Sequence, residues 1–129
     1  MNLPIFYAEG TGNTFLIVIN NQATMKIKNA LVCVEQLINH YGNLEFDGVL
    51  LVVKHKQHEF ELHYFNNDAS FETLCVNGCR CAALVMHLFF GAPSNFKFVA
   101  GDGLHCVEIL NNNLVKIKLS IPKYIYSMI

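Results

Sequence analysis

The sequence has no long hydrophobic run, no run of basic residues and no secretory type of N-terminus. The longest apolar stretch, residues 81–90, is too short to cross a bilayer and is interrupted by His87. The lysines are scattered and the formal net charge is −1, so nothing favours nucleic acid or an anionic membrane as a partner. The first residues carry no positive charge, and Glu9 follows soon after.

Charged residues are also scarce, at 15%, whereas 53% of the 129 residues are hydrophobic. This composition is typical of a folded chain, and the length predicts a single domain at residues 1–129. The five cysteines are an odd number without a secretion signal. We therefore expect reduced thiols and a cytoplasmic location.

Hydrophobic periodicity predicts two helices. Apolar residues spaced i, i+3, i+4 and i+7 predict an amphipathic helix at residues 27–41, which Gly42 is placed to end. The apolar run at residues 81–90 predicts a second, buried helix, closed by G-A-P at residues 91–93.

Alternating and β-branched segments predict seven or eight strands. The segments lie at residues 3–7, 15–19, 49–53, 60–65, 95–100, 104–110 and 114–120. Turn signals lie at residues 9–13, 20–22, 101–103 and 111–113, so most connections are short. The predicted fold class is α+β, with a mostly antiparallel sheet wrapped around the apolar second helix.

A polar turn at residues 66–70 leads to Cys75, which lies close to the start of the second helix. A helix N-terminus favours the thiolate and supplies N–H groups for a carboxylate or phosphate. Three interpretations of Cys75 remain open: a buried structural thiol, a zinc ligand with Cys79 and Cys81, and an acid/base or nucleophilic thiol. The C-x3-C-x-C spacing is poor for zinc, whereas the polar neighbours favour a functional thiol.

Other polar residues have equally simple structural explanations. Asn13, Asn66 and Asn77 suit turns and helix caps. The six histidines form no metal-binding pattern, and His87 suits a packing role within the apolar helix. A Cys/His pair separated in sequence stays possible, but no particular histidine is indicated.

Four ordered motifs nevertheless resemble the N-terminal half of diaminopimelate epimerase. The family patterns are G-x-G-N-D-F, D-G or D-Q, F-N-x-D-G-S and C-G-N-G-x-R-C. The matching segments are residues 10–15 (G-T-G-N-T-F), 46–48 (F-D-G), 65–70 (F-N-N-D-A-S) and 75–81 (C-V-N-G-C-R-C). The resemblance extends over nearly the whole chain and implies an epimerase-like N-terminal domain whose second domain is absent.

The resemblance implies a racemase that uses no metal and no other cofactor. In this family, one cysteine removes the α-proton of diaminopimelate and a second returns a proton to the opposite face, within lysine biosynthesis. By position, Cys75 is one base, Asn13 and Asn66 bind the substrate, and the backbone N–H groups of Val76 and Asn77 hold its carboxylate. The implied partners are the amino-acid substrate, the missing C-terminal domain and, for an uncovered domain, a second copy in a homodimer.

The chain also departs from the family pattern. Thr14 replaces an aspartate, Ala69 and Val76 replace glycines, and Cys79 replaces a small residue. The resemblance covers only the first of the family's two domains, so the second cysteine and the residues around it have no counterpart. Cys106 is no substitute, because it lies in a predicted strand away from the motif. We therefore expect the isolated chain to be inactive.

Two further hypotheses remain. The chain could be a non-catalytic binding domain of the same fold, or half of a related racemase for another amino acid. A catalytic Cys75 predicts a depressed pKa and fast alkylation, whereas an inert structural thiol predicts slow alkylation.

Overall fold

A computed structural model describes residues 3–20, 27–72, 76–101 and 103–118. Within these residues, the chain forms eight strands and two helices. In chain order, these are β1 (Ile5–Gly10), β2 (Asn13–Asn20), α1 (Ile27–His40), β3 (Gly48–Val53), β4 (Phe60–Asn66), β5 (Phe71–Glu72), α2 (Val76–Phe90), β6 (Asn95–Ala100), β7 (Gly103–Ile109) and β8 (Val115–Lys118).

All eight strands belong to one mixed, half-barrel sheet. Its order is β1-β2-β3-β4-β6-β7-β8, and β5 pairs with β4 beside this path. The pairs β2–β3 and β4–β6 are parallel, and the other pairs are antiparallel. Each parallel pair is joined through a helix, because parallel neighbours need a long crossover. Most pairs are thus antiparallel, as predicted from the short connections, but the two parallel pairs make the sheet a mixed one.

The two helices pack on opposite faces of β2 and β3. The α2 face contains Phe15, Ile17 and Leu50, whereas the α1 face contains Leu16 and Leu51. These side chains are almost completely buried. Because both faces are covered, β2 and β3 consist of continuous apolar runs and lack the alternation of a half-exposed strand.

Helix α1 matches its predicted range closely, but Gly42 does not end it in the expected way. Gly42 has no left-handed backbone conformation, unlike Gly91 after α2, whose φ is 79°. The Tyr41 N–H still donates to the Leu37 carbonyl at 2.9 Å, so a further turn follows α1. After α2, the Ala92 N–H donates to the Met86 carbonyl at 3.1 Å, as a left-handed glycine permits.

Helix α2 begins at Val76, five residues before the apolar run that predicted it. Gly78 and Cys79 are buried, whereas Arg80 is exposed. The first turn therefore mixes polar and core-facing residues, which hides it from a search for apolar runs. The helix contacts β1, β2, β3, β7 and β8, and Phe89 near its end is 63% exposed.

Each predicted strand overlaps an observed one, and the short β5 was not predicted. Three predictions fall partly outside the described residues: the turns at residues 20–22 and 101–103, and the end of the last strand at residues 119–120. In the part of the chain that the structure describes, neither helix is long and apolar enough to cross a membrane.

Candidate active site

The predicted site residues lie where β2 and β3 begin and β4 ends. The strands β2 and β3 are parallel, and β4 runs antiparallel to β3, so these termini share one end of the sheet. Asn13 is the first residue of β2, and Asn66 is the last residue of β4. Cys75, the predicted base, lies outside the described residues; the residue after it, Val76, begins α2.

Asn13 follows a tight turn between β1 and β2. Gly10 pairs with Asn13, which leaves Thr11 and Gly12 as a two-residue connection. Their φ angles are 52° and 86°, as in the hairpin turn that needs two left-handed residues. The predicted turn at residues 9–13 is thus confirmed in a shorter form. It reverses the chain so that β2 runs antiparallel to β1 from Asn13.

A side-chain hydrogen bond joins the start of α2 to the start of β2. The Nδ2 amide of Asn77 donates to Oδ1 of Asn13 at 2.8 Å, and both side chains are partly buried. The two residues are 64 positions apart in sequence. Two of the predicted substrate-binding residues are therefore in direct contact.

Two glycines allow α2 to approach the sheet closely. A Cβ atom on Gly78 would lie 3.0 Å from a methyl group of Leu50 and 3.4 Å from Cε1 of Phe15. A Cβ atom on Gly10 would lie 2.8 Å from Sγ of Cys81. Because real Cβ contacts are rarely this short, a side chain at either position would force the neighbouring side chains to shift, so glycine lets α2 lie this close to the sheet.

Asp47 holds the residue that follows Asn13. Its Oδ2 accepts a hydrogen bond from the Thr14 N–H at 2.8 Å and contacts the Thr14 hydroxyl at 3.4 Å. The Asp47 N–H in turn donates to the Thr14 carbonyl at 2.8 Å. The sequence motif contains Asp47, but only this reciprocal pairing across β2 and β3 reveals its positioning role.

Asn66 opens a compact turn that is closed by Ser70. The Asn66 N–H donates to the Ser70 carbonyl at 2.8 Å, and its side-chain amide donates to the Ser70 hydroxyl at 2.9 Å. Ala69 lies within this turn at a φ of 70°, in the left-handed region that glycine prefers. The turn therefore explains why the family pattern has a glycine at this position.

Asp68 stabilises the same turn. Hydrogen bonds from the side chain and backbone of Ser70 hold the pKa of the Asp68 carboxyl below its ordinary value. The Ser70 N–H donates to Oδ1 of Asp68 at 2.9 Å. Ser70 thus bonds to both Asn66 and Asp68, a role that its place in the motif did not indicate.

The first turn of α2 can accept an anion through its backbone. The first N–H groups of a helix have no partner within the helix, and the dipole makes this end positive. Val76 and Asn77 contribute the first two of these groups, and both residues are half-buried. A helix start of this kind suits a carboxylate, and the assignment of Val76 and Asn77 to that role stays a prediction.

The remaining predicted candidates lie elsewhere. Cys79 is buried in the core, Cys81 packs beside Gly10, and Cys106 is in β7. In the described ranges, no three His, Cys, Asp or Glu side chains are grouped to hold a metal ion. His87 donates through Nδ1 to the Ala92 carbonyl at 2.7 Å, a packing role near the end of α2.

Comparison with solved structures identifies the fold. A phenazine biosynthesis PhzC/PhzF protein from Clostridium difficile superposes with a TM-score of 0.65 at 17% identity. A PhzF family protein from Enterococcus faecalis superposes with a TM-score of 0.66 at 18% identity. In both cases the match covers 86% of this chain and 42% of the other.

Curated sequences give a closer match. The chain is 26% identical over 117 residues to a diaminopimelate epimerase from Flavobacterium psychrophilum, covering 91% of this chain and 45% of that protein. It is 31% identical over 113 residues to one from Campylobacter jejuni, covering 88% and 43%. The chain thus spans less than half the length of these relatives, as an N-terminal half would.

A model of the protein family described as diaminopimelate epimerase matches residues 6–116 of the chain. This match includes all four motifs in full and both sides of the contact between Asn13 and Asn77. The chain belongs to the diaminopimelate epimerase family.

Proposed function

We propose that this chain is the N-terminal half of a cofactor-independent epimerase that interconverts LL- and meso-diaminopimelate in the cytoplasm. The observation that carries the proposal is the hydrogen bond from Asn77 to Asn13, which joins two family motifs at the first turn of α2. Family membership supports the reaction class. The contacts of α2 with β1 and β8 also support a finer description of the fold, with the sheet wrapped around α2 as a central helix.

The proposed chemistry begins with binding of the α-carboxylate. The N–H groups of Val76 and Asn77 hold it at the positive end of α2, while Asn13 and Asn66 hydrogen-bond the substrate. Loss of the α-proton builds negative charge next to the carboxylate, so groups fixed in advance around that charge lower the barrier. The branched side chain of Val76 leaves its N–H in place but narrows the space through which the substrate carboxylate reaches that N–H.

Cys75 then exchanges one proton with the α-carbon. As a thiolate, its sulfur takes the α-proton and leaves the electron pair on the α-carbon. A second thiol, from the half of the protein that this chain does not include, donates its proton to the opposite face. The configuration is inverted, and each sulfur has exchanged one proton with the substrate, so no oxidant or metal is needed.

The test uses the whole encoded protein with Cys75→Ser. A serine hydroxyl is far less acidic than a thiol, so we expect epimerisation and exchange of the α-proton with deuterium oxide to fall about 10²- to 10⁴-fold. Mass spectrometry of recovered diaminopimelate measures the exchange, and chiral chromatography measures the epimerisation.

Cys33→Ser is the matched control. Cys33 is half-buried on α1, and burial raises the pKa of its thiol, so this substitution should leave the exchange rate unchanged. Epimerisation at the unsubstituted rate in Cys75→Ser would refute the role of Cys75. Absence of any diaminopimelate turnover by the unsubstituted protein would favour the alternative of a non-catalytic domain. The replacement of two family glycines by Ala69 and Val76 agrees with that alternative.

A further inference from the structure

The side chain of Asn13 ends in an amide, which carries a donor and an acceptor on one broad torsion. Rotation by half a turn exchanges the amide nitrogen and the amide oxygen at nearly the same shape. Steric fit alone therefore leaves the orientation of such an amide open, and a hydrogen bond is needed to fix it. Which of the two atoms Asn13 presents to a ligand is decided by the groups around it.

The backbone of Asn13 is held on both sides. Before it, the tight turn between β1 and β2 pairs Gly10 with Asn13. After it, Oδ2 of Asp47 accepts a hydrogen bond from the Thr14 N–H at 2.8 Å. The position of the residue is thus set by the sheet, and only its side-chain torsions are left to be fixed.

Asn77 lies against the same turn because Gly10 has no side chain. A Cβ atom on Gly10 would be 3.5 Å from the Asn77 carbonyl oxygen and 4.0 Å from the Asn77 Cβ. From this place, Nδ2 of Asn77 donates to Oδ1 of Asn13 at 2.8 Å. Asn77 is the second residue of α2, so its side chain starts from a rigid element. A fixed donor therefore selects the oxygen end of the Asn13 amide.

The nitrogen of the Asn13 amide consequently points away from Asn77. In the part of the chain that the structure describes, Asn77 is the only hydrogen-bond partner of this amide, and no buried side-chain nitrogen or oxygen lacks a partner. The nitrogen is thus reachable from solvent, as expected for a half-buried side chain. It carries two N–H donors and no acceptor.

A donor at this position complements a carboxylate and not an ammonium group. An ammonium group carries only N–H donors, so it would meet the Asn13 nitrogen donor to donor, whereas a carboxylate carries only acceptors. The free N–H groups of Val76 and Asn77 at the start of α2 have the same polarity. The junction of β2 and α2 therefore presents hydrogen-bond donors from both elements.

We propose that the side chain of Asn77 is a positioning residue, which orients the Asn13 amide so that Asn13 binds a carboxylate of the amino-acid substrate through its nitrogen. This inference rests on the proposed function and deepens it. The Asn77 side chain gains a task in addition to the backbone N–H contact, and Asn13 is assigned the chemical group that it binds. The Asn77 side chain acts through Asn13 and takes no part in proton transfer.

The polarity of Asn13 is tested with Asn13→Asp in the whole encoded protein. Aspartate has the same shape and its oxygen still accepts from Asn77, so the melting temperature should not fall. The other carboxylate oxygen replaces the amide nitrogen and repels a substrate carboxylate, so we expect the Kd for diaminopimelate, measured by calorimetry, to rise about tenfold or more. Asn29→Asp is the matched control, because Asn29 is exposed on α1, on the opposite face of the sheet, and should leave Kd unchanged.

The positioning role of Asn77 is tested with Asn77→Ala, alone and together with Asn13→Ala. Alanine keeps the backbone N–H of residue 77 but leaves the Asn13 amide free to turn, so only a fraction of the protein is ready to bind. We expect Kd to rise about two- to fivefold in the single variant. In the Asn13→Ala background the same change should leave Kd unchanged, because no amide is left to orient. A purely structural role of Asn77 would lower the melting temperature without this dependence of Kd on Asn13.

The inference fails on any of three results. Equal or tighter binding by Asn13→Asp would mean that Asn13 holds no carboxylate. A lower melting temperature of the same variant would mean that the hydrogen bond to Asn77 runs in the opposite direction. An equal rise of Kd on Asn77→Ala with and without Asn13 would mean that Asn77 does not act through Asn13. In these three cases the proposed function stands, whereas an unsubstituted protein that binds no diaminopimelate would refute both.

Discussion

At the scale of single residues, Ala69 and Thr11 have left-handed backbone conformations, with φ angles of 70° and 52°. Such conformations cost L-residues about 1–2 kcal/mol, because Cβ approaches the following carbonyl oxygen. Both residues lie in turns beside the candidate site: Thr11 before Asn13, and Ala69 after Asn66. The strain is held in place by Ser70 in one turn and by the β1–β2 pairing in the other.

Replacing Ala69 with glycine should stabilise the protein. Glycine reaches a φ of 70° without the Cβ conflict, and relief of about 1 kcal/mol exceeds the extra chain entropy that glycine loses on folding. Urea denaturation of the purified chain measures the change as a higher midpoint at an unchanged slope.

Ala8→Gly is the matched control for this substitution. Ala8 lies within β1 and has no left-handed conformation, so glycine there should lower the free energy of unfolding. If Ala69→Gly lowered stability as Ala8→Gly does, the conformation of residue 69 would not be strained.

At the scale of elements, the candidate site depends on how α2 meets β2. The glycines at positions 10 and 78 permit the approach, and the hydrogen bond from Asn77 to Asn13 fixes it. Both asparagines could be explained from the sequence as turn and cap residues. Their pairing was not predictable, because no local rule relates residues 64 positions apart.

A double-mutant cycle of Asn13→Ala and Asn77→Ala should show coupling between the two elements. A partly buried amide hydrogen bond contributes about 1 kcal/mol, so the double variant should lose about that much less stability than the sum of the single losses. Denaturant unfolding of all four proteins provides the measurement.

Asn95→Ala is the control in the same cycle. Asn95 is exposed at the start of β6, and it should show no coupling with Asn77→Ala. Strict additivity for Asn13 and Asn77 would mean that their contact does not hold α2 against β2.

The elements themselves were largely predictable, with informative exceptions. Alternation and β-branched runs predicted the long strands, and the apolar period predicted α1. The predicted start of α2 was five residues too late. The first five residues of the helix include Asn77, Gly78 and Arg80, so they do not form an apolar run. The strand β5 has only two residues and forms through pairing with β4, so no sequence window could contain its signal.

At the scale of the whole molecule, the chain contains one mixed sheet and spans about 45% or less of each relative. The proposed reaction needs two cysteines on opposite faces of the α-carbon, and only one of them is assigned to this chain. A homodimer stays a prediction, and the exposed apolar side chain of Phe89 agrees with it.

The isolated 129-residue chain should therefore not epimerise diaminopimelate. Without the second thiol, a carbanion formed at the α-carbon would be reprotonated from the same side, so inversion should be absent. Incubation of the purified chain with LL-diaminopimelate, followed by chiral chromatography, measures this, and the whole encoded protein is the positive control. Robust production of the meso form by the isolated chain would contradict the division of the site into two halves.

The sequence by itself determined the family, the motif residues, the two helices and most of the strands. These features depend on side-chain identity and on periods of two or about 3.6 residues, which are local properties of the chain. The tertiary structure decided the parallel pairs and the contact of Asn77 with Asn13. Each of these depends on which strand lies beside which and in what register, and that is settled only when distant segments bury their apolar faces together.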